Sequence, residues 1–96
     1  MPVKTQAKKY VLNGAKIHSL SDFYDEIARM LSLPEYFGRN LDALADILST
    51  DIEGPLEIVW ESSSASKKAL KKDYSKIAAL LKRIAKERDD FKVIFQ

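Results

Sequence analysis

Three short β-prone runs, separated by long stretches with helical periodicity, are the feature that most limits what this chain can fold into. The runs are Tyr10–Leu12, Leu56–Trp60 and Phe91–Phe95, all rich in branched and aromatic residues. Two helical segments lie between successive runs, so the predicted order is β-α-α-β-α-α-β. Strands joined through helices pair in parallel, because a crossover returns the chain in the same direction. The sequence therefore predicts an α/β fold with helices packed against a parallel sheet.

Capping and breaking residues predict where the helices begin and end. Ser21 is expected to cap the first helix, which runs through Leu33 until Pro34 stops it. Asn40 is expected to cap a second helix over 40–50, and Asp73 the last helix. The apolar stripes are Phe23, Ile27, Met30 and Leu31 in the first helix, Leu41, Leu44, Ile47 and Leu48 in the second, and Tyr74, Ile77, Leu81 and Ile84 in the last.

Two connecting segments carry further predictions. In the loop before the second helix, we expect Gly38 to adopt a positive φ angle and Phe37 to fold back onto the core. The serine- and lysine-rich segment 62–72 predicts a weak helix. Its expected core contacts are Ala65, Ala69 and Leu70.

The length of 96 residues suits one domain, and 46% hydrophobic with 31% charged residues is a normal globular balance. We expect a single domain over residues 1–96, with residues 1–8 as a loosely ordered N-terminal extension. The chain has no cysteine, and Met1 to Lys9 lack the apolar stretch of a signal peptide. No apolar run approaches the roughly 20 residues that a membrane span needs. These features predict a cytoplasmic protein with no membrane partner.

Charge is unevenly distributed along the chain, although the formal net charge is only +2. The segment 35–61 has seven acidic residues and one basic residue, whereas 62–88 has nine basic residues and two acidic ones. A chain that sorts its charges in this way can present an acidic face and a basic face to different partners.

The sequence offers little for catalysis. Its single histidine, His18, has no cysteine partner and no serine or carboxylate triad nearby in sequence. The three glycines are too widely separated to form a phosphate-binding loop, and no spacing suits a metal site. We therefore expect a protein that is not an enzyme and that uses no metal or cofactor.

Asp42 and Asp46 are the most informative pair of charged residues. They are four positions apart, so they lie on one face of the second helix, away from its apolar stripe. Spacing alone favours a solvated polar face. An acid–base pair, a metal site and a docking surface for a cationic partner are the alternatives. The preceding loop favours the docking surface, because Tyr36 offers a large aromatic side chain beside the carboxylates.

The basic segment 67–88 supports a different function, as a nucleic-acid-binding or regulatory interaction module. Its lysines and arginines could contact phosphates. Only Tyr74 interrupts them as an aromatic residue, and the helical stripe assigns Tyr74 to the core. A solvated helix surface is the favoured interpretation, and nucleic-acid binding is the alternative.

The segment from Leu33 to Leu44, Leu-Pro-Glu-Tyr-Phe-Gly-Arg-Asn-Leu-Asp-Ala-Leu, resembles the barstar family of ribonuclease inhibitors. Further matches to the family are Tyr10–Gly14, Ile17, Ser19–Asp22, Asp46, Pro55–Leu56 and Trp60. The resemblance covers nearly the whole chain from Lys8, and 33–44 is its most specific part.

This resemblance implies a three-stranded parallel sheet with helices packed mainly on one side and a cis Gly54–Pro55 bond. It implies inhibition of a microbial barnase-type ribonuclease, with the loop 34–39 and the acidic helix 40–50 inserted into the active site. The implied partner-binding residues are Tyr36, Gly38, Asn40, Leu41, Asp42 and Asp46. Asp46 matches the carboxylate that occupies the enzyme's phosphate site. The implied partner is a ribonuclease, with no direct binding of nucleic acid; the oligomeric state is open, and a monomer is expected.

Three positions depart from the family pattern. Ala45 and Asp51 stand where the familiar inhibitor has aromatic residues, and Arg83 stands where it has an acid that contacts the enzyme. The centre of the implied docking site is retained while its rim differs. This indicates a different cognate ribonuclease, or a family member whose partner is weak or lost.

Overall fold

The computed structural model of the protein describes residues 7–35 and 37–96. The strands and helices are β1 (Lys8–Asn13), α1 (Leu20–Leu31), α2 (Leu41–Asp46), β2 (Leu56–Glu61), α3 (Ser63–Leu70), α4 (Lys72–Glu87) and β3 (Phe91–Phe95). A 3₁₀ turn, Gly14–Lys16, follows β1, and a π-helical turn, Ile47–Asp51, continues α2. The predicted order of strands and helices is confirmed. Lys8 already belongs to β1, and residues 1–6 of the predicted extension lie outside the described residues.

The three strands form a parallel sheet in the order β1-β2-β3, with β2 in the centre. In this register Leu12 pairs with Trp60 and Leu56 with Phe91, and all four side chains are buried. The central strand is therefore covered on this face by the helices, and the predicted α/β fold with a three-stranded parallel sheet is confirmed.

The opposite face of the sheet is more open. Val59 on β2 is flanked in register by Val11 and Ile94, which are 45% and 39% exposed. The helices therefore lie mainly on one side of the sheet, as the resemblance implied. None of the helices in the described residues is long and apolar enough to cross a membrane.

Trp60 lies at the centre of the core. Its ring stacks on Phe23 with 5.5 Å between centroids, and its Nε1 donates a 2.9 Å hydrogen bond to Ser66 Oγ. Ser66 Oγ in turn donates to the carbonyl oxygen of Gly14 at 3.0 Å. A Cβ atom at Gly14 would clash with the backbone carbonyl oxygens of Glu61 and Ser62 at the end of β2, so this close approach requires glycine. The two hydrogen bonds of Ser66 Oγ therefore link β2, α3 and the 3₁₀ turn.

The predicted core contacts of α3 are partly wrong. Ala65 and Ala69 are exposed, and of the predicted residues only Leu70 is buried. Ser63 and Ser66 face the interior instead, because their hydroxyl groups find hydrogen-bond acceptors there. A stripe traced through apolar residues alone misses serines whose buried hydroxyls are satisfied.

The predicted cap of α1 is also wrong, because Ser19 caps this helix and Ser21 does not. Ser19 Oγ accepts a 3.1 Å hydrogen bond from the Asp22 backbone nitrogen, and Asp22 Oδ2 accepts one of 3.0 Å from the His18 backbone nitrogen. The Ser-x-x-Asp spacing creates this reciprocal arrangement and starts the helix at Leu20.

Two other helix ends differ from the prediction. The first helix ends at Leu31, before Leu33, because Ser32 adopts a left-handed conformation with φ 53°. The last helix begins at Lys72, and its N-cap residue is Lys71, so Asp73 lies inside the first turn and makes no cap. Lys71 has a φ of 54°, and this sharp turn directly after α3 sets the start of α4. The Gly54–Pro55 peptide bond is cis, as the resemblance implied.

Candidate functional site

Asn40 fixes the start of the acidic helix, which was predicted over 40–50 and is observed as α2 with its π turn, residues 41–51. As predicted, Asn40 is the N-cap, and its Oδ1 accepts a 2.8 Å hydrogen bond from the Ala43 backbone nitrogen. Its Nδ2 donates at 3.1 Å to the carbonyl oxygen of Gly38. One amide side chain therefore binds both the first turn of the helix and the loop before it.

Arg39 attaches this loop to α1. Its guanidinium group pairs with Asp25 at 2.8 Å, donates to the Ser21 carbonyl oxygen at 3.1 Å, and lies 5.9 Å from the centroid of the Tyr24 ring. The residue with positive φ is Arg39, at 52°, so the prediction for Gly38 is wrong. These contacts offset the cost of a left-handed conformation in a residue with a side chain.

Phe37 folds back onto the core, as predicted. It is 7% exposed, and its ring meets Tyr24 edge to face with 5.9 Å between centroids. Burial raises the pKa of the Tyr24 phenol, and the Asp73 carboxylate raises it further, while Arg39 opposes both. Tyr24 is thus a neutral support beneath the loop. Tyr36, predicted to bind the partner, lies outside the described residues.

Asp42 and Asp46 lie on the exposed side of the acidic helix, as the spacing predicted. Behind them Leu44 and Leu48 are fully buried, which fixes the orientation of the helix. No ion pair among the described residues involves either carboxylate. The two carboxylates therefore remain available to a cationic partner.

Arg88 holds the far end of the acidic helix, a role that sequence reasoning missed. Its Nη1 donates to the carbonyl oxygens of Leu48 at 2.6 Å and Ile52 at 2.9 Å. Its Nε and Nη2 bind both carboxylate oxygens of Asp90 at 2.8 and 2.9 Å. The sequence grouped Arg88 with the other bases of 67–88, for which a solvated helix surface was the favoured interpretation. Arg88 is instead largely buried, and each of its guanidinium nitrogens donates a hydrogen bond within the protein.

The structure brings Leu41 and Asp42 to one side of a shallow groove between α2 and α4, which we call the α2–α4 groove. Its volume is about 370 Å³. The lining residues are Leu41, Asp42, Ala45, Lys76, Ala79, Leu80 and Arg83. Of the other predicted binding residues, Gly38 and Asn40 lie at the loop end of the same helix, and Asp46 is one turn beyond Asp42.

The remaining basic side chains lie on the exposed surfaces of α3 and α4. Lys67, Lys68, Lys71, Lys72 and Lys76 are exposed near the junction of the two helices. Lys82 Nζ lies 5.3 Å from the centroid of the Phe95 ring. The described residues contain no group of three or more histidine, cysteine, aspartate or glutamate side chains that could hold a metal ion.

Comparison with known proteins identifies the family to which the chain belongs. A family model described as Barstar (barnase inhibitor) matches residues 7–96. A Bacillus subtilis (strain 168) protein named "Putative ribonuclease inhibitor YrdF" is 28% identical over 90 residues, which cover 93% of this chain and 99% of that protein. The family match extends through all three strands and four helices. This chain therefore belongs to the barstar family.

Proposed function

We propose that this chain inhibits a barnase-type ribonuclease by inserting the loop 34–39 and the acidic helix into the enzyme's active site. Asp46 takes the place of a substrate phosphate, and Tyr36, Gly38, Asn40, Leu41 and Asp42 contact the surrounding surface. The observation that carries the proposal is a pair of exposed carboxylates, Asp42 and Asp46, on a helix held at both ends.

The chemistry of the target explains why this arrangement suits inhibition. A ribonuclease active site is cationic because it must hold the phosphate of RNA. A carboxylate imitates that phosphate and accepts charge-assisted hydrogen bonds from arginine, lysine or protonated histidine. Opposite charges on inhibitor and enzyme also speed their association.

Rigidity adds to this complementarity. Asn40 holds the first turn of the acidic helix, Arg39 holds the loop against α1, and Arg88 holds the last carbonyl groups. A surface fixed before binding loses less conformational entropy in the complex. The carboxylates are therefore already oriented for the enzyme.

The proposed mode of action is occlusion without catalysis, by a single domain that binds one ribonuclease in the cytoplasm. The protein would there protect the cell from its own ribonuclease, in the manner of an antitoxin. The departures at Ala45, Asp51 and Arg83 adapt the rim of the surface to a particular enzyme.

The alternative, a nucleic-acid-binding module built on 67–88, has less support. Arg88 is engaged with Asp90 and with backbone carbonyls, and Lys82 lies against Phe95. Tyr74, the aromatic residue within this segment, packs against Trp60 with 5.3 Å between ring centroids. The surface therefore lacks the exposed aromatic side chain on which a base would stack.

The test is a titration of barnase activity with the purified chain. Activity is expected to fall linearly to an end point near one inhibitor per enzyme, and the chain alone is expected to leave labelled RNA unshifted on a gel. Undiminished barnase activity together with a salt-sensitive RNA shift would reject inhibition and support the alternative.

A further inference from the structure

The α2–α4 groove combines an apolar floor with walls of opposite charge. Leu41, Ala45 and Leu80 line the floor, and Leu80 is 8% exposed. Asp42 stands on the α2 side, whereas Lys76 and Arg83 stand on the α4 side. The groove adjoins the proposed ribonuclease-binding surface, because Leu41 and Asp42 belong to both.

Small side chains keep the groove open. Ala45 on α2 and Ala79 on α4 line it, and a larger residue at either position would reduce its volume of about 370 Å³. This space is open to a side chain from a bound protein.

The two cations are placed to act together. Lys76 and Arg83 are seven positions apart on α4, which puts them on the same face two turns apart. Arg83 meets Glu87 only at 3.7 Å, and both of those side chains are more than half exposed. An exposed pair of this kind contributes little, so Arg83 is released from it at small cost.

We propose that the ribonuclease inhibited by this chain presents a carboxylate beside an apolar side chain to the α2–α4 groove. The apolar side chain fills the space over Ala45 and Ala79, and the carboxylate pairs with Arg83 and Lys76. This inference rests on the proposed function and adds to it the charge pattern of the partner.

Charge complementarity carries the argument. Asp42 and Asp46 are exposed and complement a cationic cleft, and the exposed bases Lys76 and Arg83 on α4 complement an anionic group next to that cleft. An enzyme with a neutral or basic rim would leave Arg83 facing a like charge or no charge, which disfavours the complex. The chain therefore selects enzymes with an acidic group beside the cleft.

The experiment uses barnase and a set of single barnase variants, each with one neutral or basic residue at the rim of its active site changed to glutamate. At least one variant is expected to bind the chain about tenfold more tightly than barnase. Arg83→Glu in the inhibitor should abolish that gain and strengthen binding to unmodified barnase. Ala79→Phe should reduce the gain by filling the groove, whereas Lys68→Glu, a matched charge reversal on α3, should leave it intact.

The proposal is overturned if no glutamate variant gains affinity, or if the gain survives Arg83→Glu. Failure of the proposed function gives a different result. In that case Asp46→Asn would have no effect on the affinity for barnase or for any of its variants. A second copy of this chain is the competing occupant of the groove. A dimer detected by sedimentation and dispersed by Arg83→Glu would favour that occupant over a ribonuclease.

Discussion

Arg88 donates a 2.6 Å hydrogen bond from Nη1 to the carbonyl oxygen of Leu48, although the two residues are 40 positions apart in the chain. Asp90 holds the other side of the same guanidinium group through two hydrogen bonds. The side chain of Arg88 is only 16% exposed. The orientation of Asp46, two residues before Leu48, therefore depends on a residue outside the proposed binding surface.

Replacing Arg88 should destabilise the protein and weaken inhibition together. Arg88→Ala leaves the carbonyl oxygens of Leu48 and Ile52 without their donor, at an expected cost of about 2 to 3 kcal/mol in the free energy of unfolding. Arg88→Lys should recover only part of the lost free energy of unfolding, because an ammonium group cannot bind the Asp90 carboxylate and the two carbonyl oxygens in the same planar arrangement. Urea unfolding measures the stability of both variants, and titration of ribonuclease activity measures their inhibition. Lys86→Ala, at an exposed base in the last turn of α4, is the control, and an equal effect of the two alanine variants would contradict this role of Arg88.

The pair of Arg88 and Asp90 also predicts how stability depends on pH. Hydrogen bonds from Arg88 hold the pKa of the Asp90 carboxyl below its usual range. The folded state thus binds the proton less readily than the unfolded state, whose pKa is about 3.9. The stabilisation by Asp90 is therefore complete above that unfolded pKa and is lost as the pH falls through the lower, folded value.

The measurement compares the parent with Asp90→Asn by urea unfolding from neutral to acid pH. The difference in unfolding free energy should stay constant above about pH 5 and shrink below about pH 4. Asp89→Asn, which removes a neighbouring exposed carboxylate, is the control for the loss of one negative charge. A difference between the parent and Asp90→Asn that persists undiminished in acid would contradict the assigned ion pair.

Sequence patterns were sufficient for the main features of the fold and insufficient for its anchoring contacts. Alternating β-prone and helical segments predicted the parallel sheet, and Asn40 was identified as a cap from its position before an apolar stripe. The positive φ was expected at Gly38, but long-range contacts of Arg39 place it one residue later. Local propensity favours glycine there, and tertiary contacts override it.

The anchoring role of Arg88 was equally inaccessible to pattern analysis. In sequence it continues a run of lysines and arginines, and nothing local separates it from exposed neighbours such as Lys86. Its partner Leu48 lies in the π turn after α2 and its partner Ile52 directly follows that turn, and only the folded chain brings them to Arg88. A local signal did exist for Ser19, because the Ser-x-x-Asp spacing with Asp22 indicates a helix start.

Asn40 offers a test of the loop end of the acidic helix. Asn40→Ala removes the bond from the Ala43 backbone nitrogen and should lower the free energy of unfolding by about 1 kcal/mol. It should also weaken inhibition, because Asp42 lies in the turn that loses its cap. Asn40→Asp should restore only part of this stability, since aspartate caps helices equally well but cannot donate to the carbonyl oxygen of Gly38. An alanine variant as stable as the parent in thermal and urea unfolding would count against this arrangement.

Salt should slow capture of the enzyme if opposite charges guide it. Mobile ions screen charges beyond about 10 Å at 0.1 M salt. Because the carboxylates of Asp42 and Asp46 are exposed to solvent, added salt weakens their long-range attraction to the enzyme. The association rate constant with barnase, measured by stopped flow, should fall about tenfold or more from low to high salt. The dissociation rate constant should change much less. An association rate that is the same at low and physiological salt would rule out electrostatic steering.

The most direct test of the central claim is the affinity of Asp46→Ala for barnase, measured alongside its stability. The side chain is exposed, so the free energy of unfolding should stay within about 0.5 kcal/mol of the parent. Binding should weaken by about 2 to 5 kcal/mol, because the cationic groups of the enzyme would be buried without their counter-charge. Asp42→Ala should cost less, and Glu61→Ala, an exposed acid at the end of β2, should cost almost nothing. A folded Asp46→Ala protein that binds barnase as tightly as the parent would contradict the proposal that this carboxylate occupies the phosphate site.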